Sequence, residues 1–234
     1  MRRIKGPAKK GFHRVNWDLR FPQLSSVKKG DNSEEEPTGF LVAPGTYTVS
    51  LSQRVRGETI ELVEPQSFEV KRLRDGALRP QADTAEFWNK VSEFDRSVTA
   101  LSETITILES KVELLALATE RVTNGDPASL DNRLQSIQDD VNSASELLNG
   151  NVARNAIFER TQPTVRSRLG FVLTGVARST YGPTQSHRDQ LAIAKSEFGA
   201  IQQSVSQLRN SVIPEFEAEL IASGAPWVPG GKIP

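Results

Sequence analysis

The sequence predicts an α+β protein: a small, incomplete antiparallel β-sandwich followed by an elongated antiparallel helical bundle of three long rods. Three observations carry this. Apolar residues alternate with period two before about residue 76. From Phe87 to Val122 they recur in alternating steps of four and three. The later helical segments have lengths that match one another. The division falls at residues 1–76 for the sandwich and 77–234 for the bundle with a docking tail.

The first strand is Val15–Phe21, where Val15, Trp17, Leu19 and Phe21 share one face and Asn16, Asp18 and Arg20 the other. Residues 23 to 38, with Lys28-Lys29-Gly30-Asp31 and Glu34-Glu35-Glu36-Pro37, form a solvated loop. Phe40–Ala43 runs into the turn pair Pro44-Gly45, and Thr46–Ser52 follows with Tyr47, Val49 and Leu51 inward. A turn at Gly57-Glu58 precedes two short strands, Thr59–Val63 and Ser67–Lys71, with Ile60, Leu62, Phe68 and Val70 as core. That makes about five strands, whereas an immunoglobulin-like sandwich needs about seven. A sandwich short of strands leaves a raw edge and an uncovered face. Another polypeptide must complete the sheet, or the chain is a piece of a longer one.

The helical region begins near Ala82. A helix over 83–123 places Phe87, Val91, Phe94, Val98, Leu101, Ile105, Leu108, Val112 and Leu115 on one stripe, with Thr119 as a lapse before Val122. A 4-3 rhythm averages about 3.5 residues, close to the helical turn, so the stripe needs cover from other helices. Asn124-Gly125 stops this helix; Asp126 caps the next and Pro127 suits its first position. The second helix carries Leu130, Leu134, Ile137, Val141, Ala144 and Leu148, and ends at Asn149-Gly150. Residues 151–162 are irregular, with Val152, Ile157 and Phe158 expected to pack inward. Pro163 opens a shorter helix with Val165, Leu169, Val172 and Val176, broken at Tyr181-Gly182-Pro183. The last helix, over 184–222, carries Leu191, Ala194, Phe198, Ile201, Val205, Leu208 and Val212, then Phe216 and Leu220 beyond a kink at Pro214. At 1.5 Å per residue the first and last helices are each about 60 Å, the second about 33 Å and the third about 26 Å. Three rods follow: one up, the two shorter helices down, the last up. A four-helix up-down bundle is the alternative.

Composition excludes several function classes. There is no cysteine, which removes disulfides, thiolate catalysis and cysteine-ligated zinc. Formal net charge is zero, so no global field recruits nucleic acid or an anionic membrane. Six basic residues (Arg2, Arg3, Lys5, Lys9, Lys10 and Arg14) cluster at the start and read as a solvated arm, because no aromatic platform or helix-turn-helix accompanies them. No apolar run of about 18 residues exists to span a membrane. The basic start lacks the apolar stretch of a signal peptide.

Chemistry is in short supply. The two histidines, His13 and His187, read as surface and structural residues. No nucleophile elbow, Walker loop, EF-hand or H-E-x-x-H motif is present, and Gly230-Gly231-Lys232 lacks the rest of a phosphate loop. Asp139-Asp140 lies off the apolar stripe, on the solvated face. No catalytic, cofactor-binding or metal-binding residue is assigned, and no cofactor is implied. An enzyme alternative would use Trp17 or Trp88 as a carbohydrate platform and Asp18 or Glu86 as acids, and needs paired carboxylates about 5–10 Å apart in a cleft. Trp17 fits better as core, Trp88 as a plug between sheet and bundle, and Trp227 as a tail residue docking back on the protein.

Met1-Arg-Arg-Ile, Gly11-Phe-His-Arg-Val-Asn-Trp-Asp-Leu-Arg-Phe-Pro22, Val42-Ala-Pro-Gly-Thr-Tyr-Thr-Val49 and the closing Ala225-Pro-Trp-Val-Pro-Gly-Gly-Lys-Ile-Pro234 resemble the C-terminal region of bacterial sortilin-type β-propeller proteins, often labelled glycosyl hydrolase. The Trp-Asp and Pro-Gly-Thr-Tyr-Thr-Val strings are also similar to the immunoglobulin-like domain of flagellar hook-capping proteins. The resemblance implies a C-terminal fragment whose missing strands and propeller lie upstream, and an exported, periplasmic or secreted protein. Any glycosidase residues would belong to the propeller. The expected role is therefore a non-catalytic accessory or interaction module, partnered by the propeller or another protein; a structural assembly or adaptor protein is a further alternative. Oligomeric state is left open.

Overall fold

The structure, a computed structural model, describes residues 2–22, 38–71, 81–177 and 182–230. The expected polar loop at 23–37, the break at Tyr181 and the final Gly231-Lys232 lie outside them. The described protein is mixed α+β, with two small antiparallel two-stranded sheets and a predominantly helical remainder. Two compact units are distinguishable: residues 1–92 with 176–183, and residues 93–175 with 184–234.

In the first unit, β1 (Arg20–Pro22) pairs with β2 (Thr38–Leu41), and β3 (Gly45–Val55) pairs with β4 (Glu58–Val70). β1 is far shorter than the strand expected from Val15. Leu19 takes φ 56°, and the Asp18 carboxylate accepts the Arg20 amide at 3.1 Å. That local turn ends the extended run two residues before pairing starts. Conversely, the two short strands expected after Gly57 are one strand. β4 stays continuous by inserting two bulges, one holding Glu64 and Pro65 against Ser50, the other an extra residue beside Leu51. Pro65 has no N–H, and a bulge is where a strand tolerates that. The turn is Arg56-Gly57, with φ 52° and 92°. Two positive φ values match the type I′ geometry whose twist suits a hairpin.

The first unit also holds the start of α1 (Gln81–Thr119). There Phe87 and Trp88 are buried, and Trp88 stacks on Phe40 with centroids 4.0 Å apart.

The second unit contains the rest of α1, then α2 (Pro127–Asn149), α3 (Val152–Ala156), α4 (Val165–Ala177, except its last two residues), α5 (Gln185–Gln207), a π turn (Leu208–Val212) and α6 (Ile213–Ala222). Most stripe residues read from the sequence are its core, while Val122 and Val212 are only part-buried. Val98, Ile105, Leu115, Ile137, Leu148, Leu169, Phe216 and Leu220 are at most 2 % exposed. Thr119 is buried with them; its hydroxyl donates to the Leu115 carbonyl at 2.9 Å, so the lapse in the apolar pattern leaves no unpaired hydroxyl. Asp126 caps its helix as expected, and α4 and α5 carry caps as well. Asp126 accepts the Ala128 amide, Thr164 accepts the Ser167 amide, and Thr184 forms a capping box with His187. Pro214 does not simply bend the last helix. Its missing N–H and its ring are accommodated by the wider π turn just before it, in which the Ile213 amide reaches the Leu208 carbonyl.

Polar cross-links fix the helix order within this unit. Ser102 on α1 donates to Asn149 at the end of α2, and Arg166 on α4 donates to the same Asn149 oxygen. Arg133 on α2 donates to Glu219 on α6 at 2.5 Å, and Arg168 on α4 to Glu197 on α5 at 3.0 Å. The amides of Thr123 and Asn124 both reach the Ser223 carbonyl, joining the C-terminal ends of α1 and α6.

Candidate interaction surface

Strands β3 and β4 form a hairpin in solvent. Cross-strand pairs put Tyr47, Val49, Leu51 and Val55 on one face with Phe68, Val63 and Ile60, interrupted by Gln53, Gln66 and Glu58. The opposite face carries Thr46, Thr48, Ser52 and Arg54 with Glu69, Ser67, Glu61 and Thr59. Alternation of this kind normally marks a sheet buried on one side. Here only the base of the apolar face is covered: Trp17 lies edge-on to Tyr47 and Phe68, with centroids 5.5 and 5.9 Å apart. Beyond it, Val49, Leu51, Ile60, Leu62 and Val63 are each 51–58 % exposed. These five neighbouring large apolar side chains make an exposed patch, a candidate interaction surface.

The two edges of the hairpin differ. β4 carries Glu58, Glu61, Glu64 and Glu69, Pro65 and both bulges, all devices that discourage another strand from pairing. β3 has no proline, no acidic residue and no inserted residue; its charge is Arg54 alone. Among the described residues, β4 is the only strand beside it.

The candidate chemical residues are engaged elsewhere. Asp18 pairs with Arg2 at 2.6 Å. Desolvation works against the Asp18 charge, but the hydrogen bonds from Arg2 and the Arg20 amide, with the charge of Arg2, outweigh it and hold the carboxyl below its usual range. A group held ionised this way is a poor general acid. Glu86 is exposed and pairs with Lys90 one turn on. The Trp17 indole donates to the Arg20 carbonyl, and both Trp17 and Trp88 spend their rings on aromatic neighbours. His13 is exposed, with Nε2 against the Lys9 carbonyl. His187 is buried: Nδ1 accepts the Thr184 amide, the ring lies against Phe171, and burial lowers its pKa. Asp139 accepts from Gln135 on the exposed face of α2.

One expectation changes. Ile157 and Phe158 do not pack inward; they are 72 % and 92 % exposed, with Phe158 at φ 56°. Trp227 does lie back against Leu115, Leu220 and Ile221, about half exposed, and the tail is also held by Lys111. That ammonium donates to the Pro229 carbonyl at 3.0 Å and pairs with the largely buried Glu217. The sequence reading also passed over Asp95. Burial raises its pKa, and the charge of Arg166 opposes the rise.

An open polar groove of about 330 Å³ lies between α1 and α2, lined by Glu109, Glu113, Gln135, Gln138 and Asn142. Both carboxylates stand on one wall, one turn apart on α1, instead of facing each other across a cleft. Among the described residues no group of three or more His, Asp or Glu is placed to hold a metal, and no helix is long and apolar enough to cross a membrane.

No family model, curated protein or solved structure matches this chain.

Proposed function

We propose that this chain is a non-catalytic accessory module, the C-terminal part of a larger propeller-containing protein, which supports the propeller or binds a partner protein. Residues 1–76 are the incomplete immunoglobulin-like sandwich of that protein. Strands from upstream supply the second sheet, and its apolar face closes over Val49, Leu51, Ile60 and Val63. Residues 77–234 are a three-rod bundle: α1 one way, α2 and α4 in line the other way, α5 to α6 back again.

The single observation that carries the reading is the half-exposed, largely apolar face of the β3–β4 hairpin. Two sheets stack about 10 Å apart by interdigitating such faces. The cross-links of Ser102 with Asn149 and of the α1 terminus with Ser223 support the rod order. The sequence strings given above are what suggest the propeller.

An immunoblot of the source cells, with an antibody raised against this chain, tests the proposal. A band far above 25.8 kDa is expected. A band at 25.8 kDa overturns the larger parent protein, and the sheet's cover must then come from a separate polypeptide.

A further inference from the structure

The contrast between the two edges of the hairpin points to a second function, independent of what covers its apolar face. We propose that the chain self-associates through the outer edge of β3, which pairs antiparallel with β3 of a second copy across a two-fold axis at Ser50.

The choice of edge follows from the residues. β4 is shielded by Pro65, two bulges and four glutamates. A β4–β4 contact would bring those carboxylates together, and like charges on adjoining strands repel. A β3–β4 contact would meet the same bulges and would also be heterologous, which propagates instead of closing. Only β3 against β3 avoids both. Every non-proline residue of a strand offers a donor and an acceptor, and β3 directs half of its set away from β4.

The choice of a second copy follows from self-complementarity. With Ser50 on the axis, Val49 faces Leu51 of the second copy, Thr48 faces Ser52, Tyr47 faces Gln53, Thr46 faces Arg54 and Gly45 faces Val55. All eleven residues of β3 are then matched, and no like charges meet. Val–Leu and Thr–Ser are favourable cross-strand pairs. Charge is complementary as well. Arg54 at the tip of one hairpin lies beside Thr46 of the second copy, whose own cross-strand neighbour is Glu69. The product is a closed four-stranded sheet, β4-β3-β3-β4, with the apolar residues of both hairpins on one face and all eight glutamates on the two outer strands.

Sedimentation velocity on the full chain, from about 1 µM to about 1 mM, tests this; a one-strand interface belongs at the weak end of that range. A concentration-dependent dimer is expected. Ser50→Lys and Ser50→Glu each put like charges on the axis, and each should weaken the dimer at least about tenfold with unchanged circular dichroism. An equimolar mixture of the two variants should restore it. Ser67→Lys, on β4, should leave it intact. A wild type that stays monomeric at 1 mM overturns the proposal. So does a dimer indifferent to Ser50→Lys, a mixture that fails to recover, or a loss caused equally by Ser67→Lys.

Discussion

Alanine at Gly175 and at Gly170, five residues apart on α4, should move stability in opposite directions. On helix propensity alone each glycine-to-alanine change stabilises by up to about 1 kcal/mol. At Gly170 nothing lies within 4 Å of an added Cβ, so that gain should appear in full. At Gly175 the new methyl would come 2.9 Å from Cε1 of His187 and 3.3 Å from Cδ2, with Nε2 nearer still. The ring has little freedom to retreat. Its Nδ1 accepts the Thr184 amide at 3.1 Å, and its ring packs against Phe171 with centroids 5.3 Å apart. Overpacking typically costs about 1–3 kcal/mol, and a broken cap about 1 kcal/mol more. The steric loss exceeds the propensity gain, and Gly175→Ala should destabilise by about 1–3 kcal/mol net. Urea unfolding followed by far-ultraviolet circular dichroism measures both variants. A double-mutant cycle with His187→Ala isolates the cause: the two changes should be strongly non-additive, with a coupling of at least about 1 kcal/mol. Equal effects of the two glycine changes, or additivity of Gly175→Ala with His187→Ala, would show that the ring does not confine this position.

The same histidine predicts a pH dependence. Burial lowers its folded pKa below the ordinary imidazole value, so the unfolded chain takes up its proton first; its contribution to stability is complete above about pH 6.5 and is lost as pH falls from there toward the folded value. Urea midpoints measured across that window should fall on the acid side, and His187→Gln should flatten the slope; an unchanged slope would assign it to other groups. Lys111→Ala should cost about 3–5 kcal/mol, because it leaves Glu217 charged and largely buried without its partner. It should also free the tail, read as a red shift in tryptophan fluorescence from Trp227 that Trp227→Phe removes.

How much was legible in the sequence depended on whether local pattern decided the outcome. The helical core was readable residue by residue, because a 4-3 stripe has one way to hide and each side chain on it has the same task. The cap at Asp126 bonds an amide two residues away, so it too is local. Strand limits were not readable. Val15–Leu19 alternates as well as any strand, yet the Asp18 turn and the positive φ of Leu19 end the run, and no periodicity records a single dihedral. Residues 64–66, with Pro65 unable to donate, fell between the two short strands expected at Thr59–Val63 and Ser67–Lys71. The fold absorbed it as a bulge, which requires a partner strand to bulge against.

What surrounds a side chain is likewise a tertiary matter. The sequence marked Ile60, Leu62, Phe68 and Val70 as core because they are apolar and alternate. In the structure Ile60 and Leu62 stand about half exposed. Ile157 and Phe158 have the same chemistry as Phe216, yet only Phe216 is fully covered. Hydrophobicity states that a side chain gains by leaving water, and it does not supply the surface that would receive it. The sequence by itself therefore determined the secondary-structure classes and most of the helical core. Only the tertiary structure decided that His187 would be a packed cap, that Lys111 would hold the tail, and that the apolar face of the hairpin would stand half exposed. Those outcomes depend on contacts between residues far apart in the chain, whose geometry no local pattern encodes.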